Sequence, residues 1–261
     1  MNLRFYKYHG TGNDFILVDT RLKGNALPDG MTIEKLCHRR FGIGADGLIA
    51  ITDASGYDFG MTYFNSDGKE STMCGNGGRC AVALADFLSP GNTPYHFLAA
   101  DGDHSGIITA RNNNIYHVRL RMQDINDYTF HDNDLIINTG SPHLVRFTEK
   151  EADIFTEGSA IRYQDRFQPG GINVNFVSKE KDYVFVRTYE RGVENETLSC
   201  GTGVTAAALA HALQNDMTEG NVPVGTRGGQ LRVYFRREGN GFSDIWLEGP
   251  AEKVFEGIIN I

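Results

Sequence analysis

The chain has 261 residues, of which 40% are hydrophobic and 22% charged, and its formal net charge is −8. No basic stripe is present and no run approaches the ~18 apolar residues of a membrane span, so we expect neither a nucleic-acid nor a membrane partner. The length supports one large domain or two modest ones, each with its own core.

The opening segment, MNLRFYKYHG, lacks the apolar centre of a secretion signal, which predicts a cytoplasmic protein. The four cysteines are Cys37, Cys74, Cys80 and Cys200. In a reducing compartment they are expected to be free thiols, either buried or reactive, rather than disulfides. Their spacing matches no Cys-x-x-Cys pattern, so the sequence predicts no metal site.

Strands and helices alternate along the chain. Strand-like β-branched and aromatic content occurs in FILVD, LIAIT, DFGMTYF, IYHVRLRM, YVFVRTY, LRVYFRR and DIWLEG. An amphipathic helix is predicted at MTIEKLCHRRF, with Thr32 as its N-cap. RCAVALADFL and GVTAAALAHAL are short helices that are apolar nearly all round, which predicts that both are buried. Hairpin turns are predicted at residues 112–114 and 239–241.

Part of the sequence occurs twice. STMCGNGGRC (71–80) and LSCGTGVTAA (198–207) each place a cysteine before Gly-x-Gly at the head of an Ala-rich helix, 126 positions apart. The same offset joins RRF at 39–41 to DRF at 165–167. So long a period is typical of a duplicated domain rather than a solenoid. We therefore predict an α+β fold with two pseudo-symmetric lobes from an internal duplication, each a curved, mostly antiparallel sheet or barrel around a central helix.

The repeat also predicts the domain boundary. Residues 1–119 form the N-terminal lobe that carries Cys74, and residues 120–248 form the C-terminal lobe that carries Cys200. We expect residues 249–261 to return to the N-terminal lobe, although the spacing alone does not require it. The active site is expected in the cleft between the lobes.

Each repeated cysteine stands where a helix begins. The first N–H groups of a helix have no intrahelical partner and carry partial positive charge, so they bind anions such as carboxylates and lower the pKa of a nearby thiol. Two such blocks facing one another would hold a carboxylate and place the adjacent carbon between two sulfurs. One thiolate would remove the α-proton and the opposite thiol would return a proton to the other face. This chemistry inverts a stereocentre.

A series of ordered motifs resembles the diaminopimelate epimerase family over nearly the whole length. They are HGTGNDF, FGIGADGL, FNSDG followed by MCGNGGRC, GSPH, INVNF, YERG and SCGTG. That family interconverts LL- and meso-2,6-diaminopimelate without a cofactor, on the path to lysine and peptidoglycan. The resemblance implies Cys74 and Cys200 as the acid/base pair, a small-molecule substrate, no cofactor and a homodimer.

The resemblance also implies which groups hold the reacting end of the substrate. Backbone N–H groups should bind the α-carboxylate, and they belong to Gly75, Asn76, Gly201 and Thr202. Asn13 in GTGND should line the same site.

A second set of residues is implied at the distal amino-acid group. Asn65, Asn173 and Arg191 should bind it, with the Arg191 guanidinium gripping a carboxylate through two hydrogen bonds. Glu190 should meet an ammonium group and help a cysteine ionise, and His143 is a further helper for ionisation.

Each of these residues also has a purely structural interpretation. Asn13 suits a simple turn, Asn65 and Asn173 suit turns or strand ends, and His143 suits a hydrogen-bonded structural role. Glu190 and Arg191, as neighbouring charges, suit a solvated surface pair.

This sequence departs from the family pattern at two positions. Ser141 stands where many members have Asn, and Gly47 stands where some have Gln. Cys80 is expected to pack in the core, and Cys37 has no assigned role.

Three other functions fit parts of the pattern. A related cofactor-independent racemase of the proline or hydroxyproline type also uses paired cysteines. A non-catalytic thiol or zinc-binding module would use Cys74, Cys200 and His143. A redox switch would join the two cysteines on oxidation and would be compatible with catalysis.

Overall fold

The computed structural model describes residues 2–91, 93–148 and 152–261. The chain divides into two compact units, Met1–Leu120 with Gly249–Ile261, and Arg121–Glu248. The predicted boundary after residue 119 lies one residue before this division. None of the residues predicted for the site falls outside the described ranges.

The first unit contains eight full strands, one short strand and two helices. In chain order they are β1 (Asn2–Gly10), β2 (Asn13–Asp19), α1 (Gly30–Cys37), β3 (Gly47–Thr52), β4 (Phe59–Asn65), β5 (Glu70–Ser71), α2 (Gly75–Leu88), β6 (Tyr95–Ala99), β7 (Gly102–Asn112), β8 (Ile115–Arg121) and the last part of a strand shared with the second unit.

The second unit repeats this order. Its elements are β9 (Tyr128–His131), β10 (Asp134–Asn138), β11 (Pro142–Phe147), α3 (Ile154–Arg162), β12 (Asn173–Lys179), β13 (Val184–Glu190), β14 (Asn195–Thr197), α4 (Gly201–Gln214), β15 (Glu219–Thr226), β16 (Gly229–Glu238) and the shared strand β17 (Gly241–Asn260).

Strand pairing confirms the predicted duplication. In the first unit the ladder runs antiparallel from β1 to β2, parallel to β3, antiparallel to β4, parallel to β6, and antiparallel to β7 and β8. In the second unit β10, β11, β12, β13, β15, β16 and β17 pair in the same sequence of directions. The predicted fold class of two duplicated lobes is therefore correct.

A strand from outside the repeat closes each sheet. In the first unit the last part of β17 pairs with both β8 and β1, which completes a ring of eight strands. In the second unit β9 pairs with β10, and Ile125, just before β9, bridges to Phe242 in β17. Each unit thus ends as a curved, closed sheet.

One helix fills each ring. Residues Gly75 to Asp86 of α2 are all buried, and α2 contacts β1, β2, β3, β4 and β7. Helix α4 is buried in the same way against β11, β12, β13, β15 and β16. Burial of these two Ala-rich helices confirms the sequence prediction, because a helix that is apolar all round has no face for water.

Two further core clusters lie with the other helices. Helix α1 packs Ile33 and Leu36 with Leu3, Ile16 and Leu48 of the strands. Helix α3 has the matching place in the second unit, where Ile154 and Ile161 join a cluster that includes Val174, Phe176 and Tyr189.

Local predictions were correct at the turns and wrong at one helix cap. The turns at 112–114 and 239–241 join β7 to β8 and β16 to β17, with left-handed φ at Asn113 (52°) and Gly239 (58°). The N-cap of α1 is Asp29, not Thr32: the Asp29 carboxylate accepts a 2.8 Å hydrogen bond from the Thr32 backbone N–H. Thr32 has the right chemistry but lies one turn inside the helix.

Several elements were not singled out from sequence, namely helix α3 and the strands β1, β5, β6, β9, β10, β11, β12, β14 and β15. Within the described ranges, no helix has the length and apolar character needed to cross a membrane.

Candidate active site

Cys74 and Cys200 are the N-caps of α2 and α4, with nearly equal backbone angles (φ −105°, ψ 128° and φ −113°, ψ 113°). Their carbonyl oxygens accept the first helical hydrogen bonds, from Gly78 N at 2.7 Å and Val204 N at 2.8 Å. In the described chain neither sulfur caps its own helix backbone. Both thiols are half-buried and unoxidised, at the positive ends of buried helices, where an anion is stabilised.

In the first unit the structure brings Cys74, Asn13 and Asn76 together. The Cys74 Sγ lies 3.6 Å from Asn13 Oδ1, which also accepts a 3.3 Å hydrogen bond from Asn76 Nδ2. Asn13 Nδ2 donates to Asp46 Oδ2 at 2.7 Å. The hydrogen bond to Asp46 therefore fixes the Asn13 amide, and the amide carbonyl oxygen faces the Cys74 thiol.

A network of charges fixes the segment that carries Asn13. Asp14 accepts two hydrogen bonds from Arg39, at 3.0 and 2.7 Å, and one from Lys7 at 2.6 Å, while Arg39 also reaches Asp46 at 2.7 Å. Burial would raise the pKa of Asp14, but the hydrogen bonds from Arg39 and Lys7 outweigh it and lower the pKa to about 2. The GTGND and FGIGADGL motifs are thus parts of one ion-paired support.

Gly47, one of the two departures from the family pattern, has a steric explanation. A Cβ at this position would lie 2.3 Å from the Phe64 carbonyl oxygen and 2.6 Å from the Tyr63 ring. This backbone leaves no space for a side chain at 47.

In the second unit Cys200 is the end of a chain of hydrogen bonds. Its Sγ lies 3.4 Å from Thr202 Oγ1, which lies 2.9 Å from His143 Nε2. His143 Nδ1 is 3.0 Å from Asn175 Nδ2, and Asn175 Oδ1 accepts from the Thr188 hydroxyl at 2.9 Å. Five side chains from β11, β12, β13 and the start of α4 are joined in this way.

The Asn175 amide determines the donor and the acceptor in each of these hydrogen bonds. Asn175 Nδ2 also donates to the Leu144 carbonyl at 3.0 Å, so the nitrogen is a donor and His143 Nδ1 must accept. The His143 proton is then on Nε2, where it is donated to Thr202 Oγ1. Because that oxygen accepts from His143, the Thr202 hydroxyl proton is available to the Cys200 sulfur.

His143 itself is completely buried. Burial, with a smaller contribution from the nearby positive Arg191, lowers its pKa from 6.5 to about 3. The ring is therefore neutral at physiological pH, and its link to Cys200 is indirect, through Thr202. The Thr139 hydroxyl also donates to the Thr202 carbonyl at 2.8 Å, so the segment around GSPH holds the start of α4 at two points.

Asn173, Ser141 and Arg191 meet beside this chain. Asn173 Nδ2 donates to Ser141 Oγ at 2.8 Å and to the Pro142 carbonyl at 3.1 Å, and its Oδ1 accepts from Arg191 N at 2.9 Å. The Arg191 guanidinium reaches the Gly170 carbonyl at 3.1 Å and Ser141 Oγ at 3.5 Å. The Asn173 amide thus orients Arg191 and Ser141.

The remaining predicted residues lie at element ends. Glu190, half-buried, is the last residue of β13, and Gly75 and Gly201 are the first residues of α2 and α4. Asn65 ends β4 with an exposed side chain, and its carbonyl oxygen accepts from Gly68 N at 2.9 Å in a tight turn. The predicted set falls into a Cys74 group and a Cys200 group, one in each unit.

Two residues of the Cys200 hydrogen-bond chain were not predicted: Asn175 and Thr188. Asn175 is two positions after Asn173 on the same face of β12, and Thr188 is its partner across β13. The alternation in INVNF signals Asn175 once a strand is assumed. Thr188 becomes visible only from the strand register.

Cys80 is buried in the core, as predicted. Cys37, for which no role was predicted, is the last residue of α1 and is also buried. In the described part of the chain, no three His, Cys, Asp or Glu side chains cluster as metal ligands, and both His143 nitrogens are already hydrogen-bonded.

A sequence profile described as diaminopimelate epimerase matches residues 5–122 and 135–254. The chain belongs to the diaminopimelate epimerase family. Each matched segment contains one of the two cysteine groups. A diaminopimelate epimerase from Flavobacterium psychrophilum is 47% identical over 260 residues, covering 98% of this chain and 100% of that protein.

Solved structures with the same fold include members of other families. A Bacillus anthracis phenazine biosynthesis protein of the PhzF family has a TM-score of 0.76 at 15% identity and covers 100% of both chains. A hydroxyproline epimerase from Agrobacterium vitis, with bound trans-4-hydroxy-L-proline, has a TM-score of 0.67 at 14% identity and covers 99% of this chain and 92% of that one. At these identities the likeness concerns the fold alone.

Proposed function

We propose that this member of the diaminopimelate epimerase family interconverts LL- and meso-2,6-diaminopimelate with Cys74 and Cys200 as its two bases. One observation carries the proposal: two half-buried thiols occupy the same N-cap position on two buried, equivalent helices. Duplication gives two like sites, which is what a reaction needs when it removes a proton from one face of a carbon and adds one to the other.

The proposed reaction keeps its proton balance without a cofactor. A thiolate takes the α-proton, so the C–H bond breaks and an S–H bond forms while the electron pair spreads onto the carboxylate. The opposite thiol then gives its proton to the other face of the carbon and becomes the thiolate. Each turnover therefore exchanges the protonation states of the two cysteines.

We assign the reacting carboxylate to the N-terminal ends of α2 and α4. Its oxygens would accept hydrogen bonds from the backbone N–H groups of Gly75, Asn76, Gly201 and Thr202. Such donors strengthen as negative charge develops on the carboxylate in the transition state.

The far amino-acid group of the substrate is assigned to the second set of residues. Arg191, held by Asn173, would bind the distal carboxylate, with Ser141 supplying a hydroxyl where many relatives have an amide. Glu190 would meet the distal ammonium, and Asn65 would complete the contact. This two-ended recognition separates a long diamino acid from proline.

The cellular compartment, the pathway and the oligomeric state are part of the same proposal. We infer a cytoplasmic enzyme of lysine and peptidoglycan precursor synthesis that forms a homodimer. Exposed apolar side chains on the last part of β17 support a dimer, namely Val254, Phe255 and Ile258. Light scattering on the purified protein measures the oligomeric state.

The main alternative is a racemase of the proline or hydroxyproline type, favoured only by the shared fold. Competition separates the two: diaminopimelate should turn over and proline should not. A zinc module is the second alternative, and stoichiometric zinc in the purified protein would favour it.

The test of the two-base mechanism uses cysteine variants. Cys74→Ala and Cys200→Ala should each reduce epimerisation by about 10²–10⁴-fold, the usual worth of a general acid or base. In heavy water the inverted carbon should gain solvent deuterium in the wild type. Cys37→Ala is the control: this buried thiol ends α1 and belongs to neither repeated cysteine block, and the variant should keep activity. Full activity in either catalytic variant would contradict the proposal.

A further inference from the structure

Arg79 is a completely buried arginine at the fifth position of α2, the helix whose N-cap is Cys74. Its side chain returns toward the helix start, the direction in which helical side chains lean. There Nη1 donates to the Gly75 carbonyl at 3.4 Å and Nη2 to Asn76 Oδ1 at 2.8 Å. Asn76 in turn donates to Asn13 Oδ1, the atom that lies against the Cys74 sulfur.

The remaining contacts of Arg79 are also neutral: the Thr11 hydroxyl at 3.4 Å and the Pro250 carbonyl at 3.5 Å. Across the described residues, no carboxylate forms an ion pair with this guanidinium. An arginine keeps its charge at any physiological pH, so a full positive charge lies in the core without a protein anion. Gly10 makes room for it, because a Cβ there would lie 3.2 Å from Nη2.

This arrangement is costly for a helix. Burial lowers the pKa of Arg79, because the charged form loses its hydration, whereas nearby Cys74 and Cys80 raise it. The guanidinium also reaches back to the first turn, where a positive charge opposes the helix dipole. Both costs fall when a negative charge forms at the helix start.

Other charges near α2 are already engaged. The charged groups on the strands that contact the helix pair elsewhere: Arg4 with Glu256, Lys7 with Asp14, His9 with Glu252, Arg21 with Asp19, Arg111 with Asp86, His104 with Asp101, and Asp103 with the Tyr57 hydroxyl. Beside Asn13, Asp46 is held by Arg39. Burial raises the pKa of Cys80 to about 12, so that thiol stays protonated.

The second unit lacks this charge. At the position equivalent to Arg79, 126 residues on, stands Thr205, whose hydroxyl bonds to the Gly201 carbonyl at 3.0 Å. Cys200 has instead the Thr202–His143 chain, in which the Thr202 hydroxyl offers the sulfur one hydrogen bond but no positive charge. The two half-sites therefore share a backbone and differ in electrostatics.

We propose that Arg79 is a positioning residue that favours the thiolate of Cys74, so that Cys74 is the more acidic of the two catalytic cysteines and the thiolate in the resting enzyme. The guanidinium acts through its positive charge at the start of α2. The Asn76–Asn13 contact is not part of this effect, because Asn13 Oδ1 accepts the Cys74 thiol hydrogen and favours the protonated form. The proposal depends on the proposed function only in calling these two cysteines catalytic. The acidity difference is a property of the substrate-free protein.

The test measures alkylation by iodoacetamide against pH, with peptide mass spectrometry to read Cys74 and Cys200 separately in the full chain. Cys74 should titrate at lower pH than Cys200 in the wild type. Arg79→Gln should raise the apparent pKa of Cys74 by about one unit, the low end of the effect of a close opposite charge. Arg79→Lys should recover most of that shift, and Cys200 should titrate unchanged in both variants.

Two results would overturn the proposal. One is a wild-type Cys74 that titrates with or above Cys200, a comparison that needs no Arg79 variant and decides the matter even where Arg79→Gln does not fold. The other is a folded Arg79→Gln with an unshifted Cys74. Neither outcome touches the two-base reaction, which is tested by activity of the cysteine variants. Conversely, an active Cys74→Ala would end the proposed function while leaving the acidity order measurable.

Discussion

The buried imidazole of His143 makes the free energy of unfolding depend on pH. Folding holds its pKa at about 3, against 6.5 in the unfolded chain, so below pH 6.5 the unfolded chain binds a proton that the folded protein does not. Stability is therefore complete above pH 6.5 and is lost as the pH falls toward 3. Acidification from pH 7 to 5 should cost about 2 kcal/mol through this residue.

Urea unfolding at pH 7 and pH 5 measures that loss. His143→Gln should be less stable than the wild type at pH 7, because Asn175 and Thr202 lose a partner, but it should lose about 2 kcal/mol less on acidification. His131→Gln, at an exposed site, is the control and should keep the wild-type dependence. The paired Asp14 titrates below pH 4 and does not contribute in this interval. An unchanged slope in His143→Gln would show that another group causes the loss.

Single residues were predictable where the chemistry is local. Cys74, Asn76 and Asn13 follow from two short motifs, and the structure joins them by direct contacts. Arg79 was passed over because a basic residue in a helix normally points to water, and nothing local shows that this one is sealed inside a ring of strands. Thr188 was missed for a similar reason, since its role depends on facing Asn175 across the sheet.

The two central helices provide a matched experiment at the level of elements. Gly203 and Gly77 are each the third residue of their helix. A Cβ at Gly203 would lie 2.4 Å from Asn175 Oδ1 and 3.1 Å from Thr188 Oγ1, both in a fixed hydrogen-bond chain. A Cβ at Gly77 would meet flexible ends instead, Ile49 Cδ1 at 2.9 Å and Met61 Cε at 3.4 Å.

Gly203→Ala should therefore lower the free energy of unfolding by about 1–3 kcal/mol and reduce epimerisation, because it displaces the groups that orient His143. Gly77→Ala should be close to neutral, since the higher helix propensity of Ala offsets the small shift of neighbours. Thermal unfolding and initial rates of both variants test this. Equal effects at the two positions would contradict the assigned role of the Asn175 chain.

Elements with strong local patterns were predicted and those defined by distant partners were not. The two Ala-rich helices and both hairpin turns have distinctive local sequences. The parallel pairs β2–β3 and β4–β6 depend on crossovers through α1 and α2, which composition does not reveal. At α1 the sequence analysis named Thr32 as the N-cap, but the structure has Asp29, three residues earlier, in that position.

For the whole molecule, β17 is the element with the widest role. Its first part belongs to the second unit, and its last part occupies the gap between β1 and β8 in the first. Ala251 is completely buried there, opposite Tyr116. The repeat predicted two lobes, but its spacing alone did not require residues 249–261 to complete the first of them.

Removal of residues 250–261 should open the first unit and spare the second. The exposed edges of β1 and β8 would lose their hydrogen-bond partners, and the core around α2 would admit water. Hydrogen exchange resolved by peptide should show lost protection in α2 and retained protection in α4. Full protection of α2 in the shortened chain would show that the ring holds without its eighth strand.

The same strand sets an order of events during synthesis. A ribosome that adds ~5–20 residues per second needs roughly 6–28 s to travel from the end of β8 to the residues that seal the first ring. Throughout that interval the earlier half is an unsealed sheet, and the later half has all its strands shortly before the interval ends. Nascent-chain proteolysis should find the Cys200 half protected before the Cys74 half, so that the portion translated first matures second.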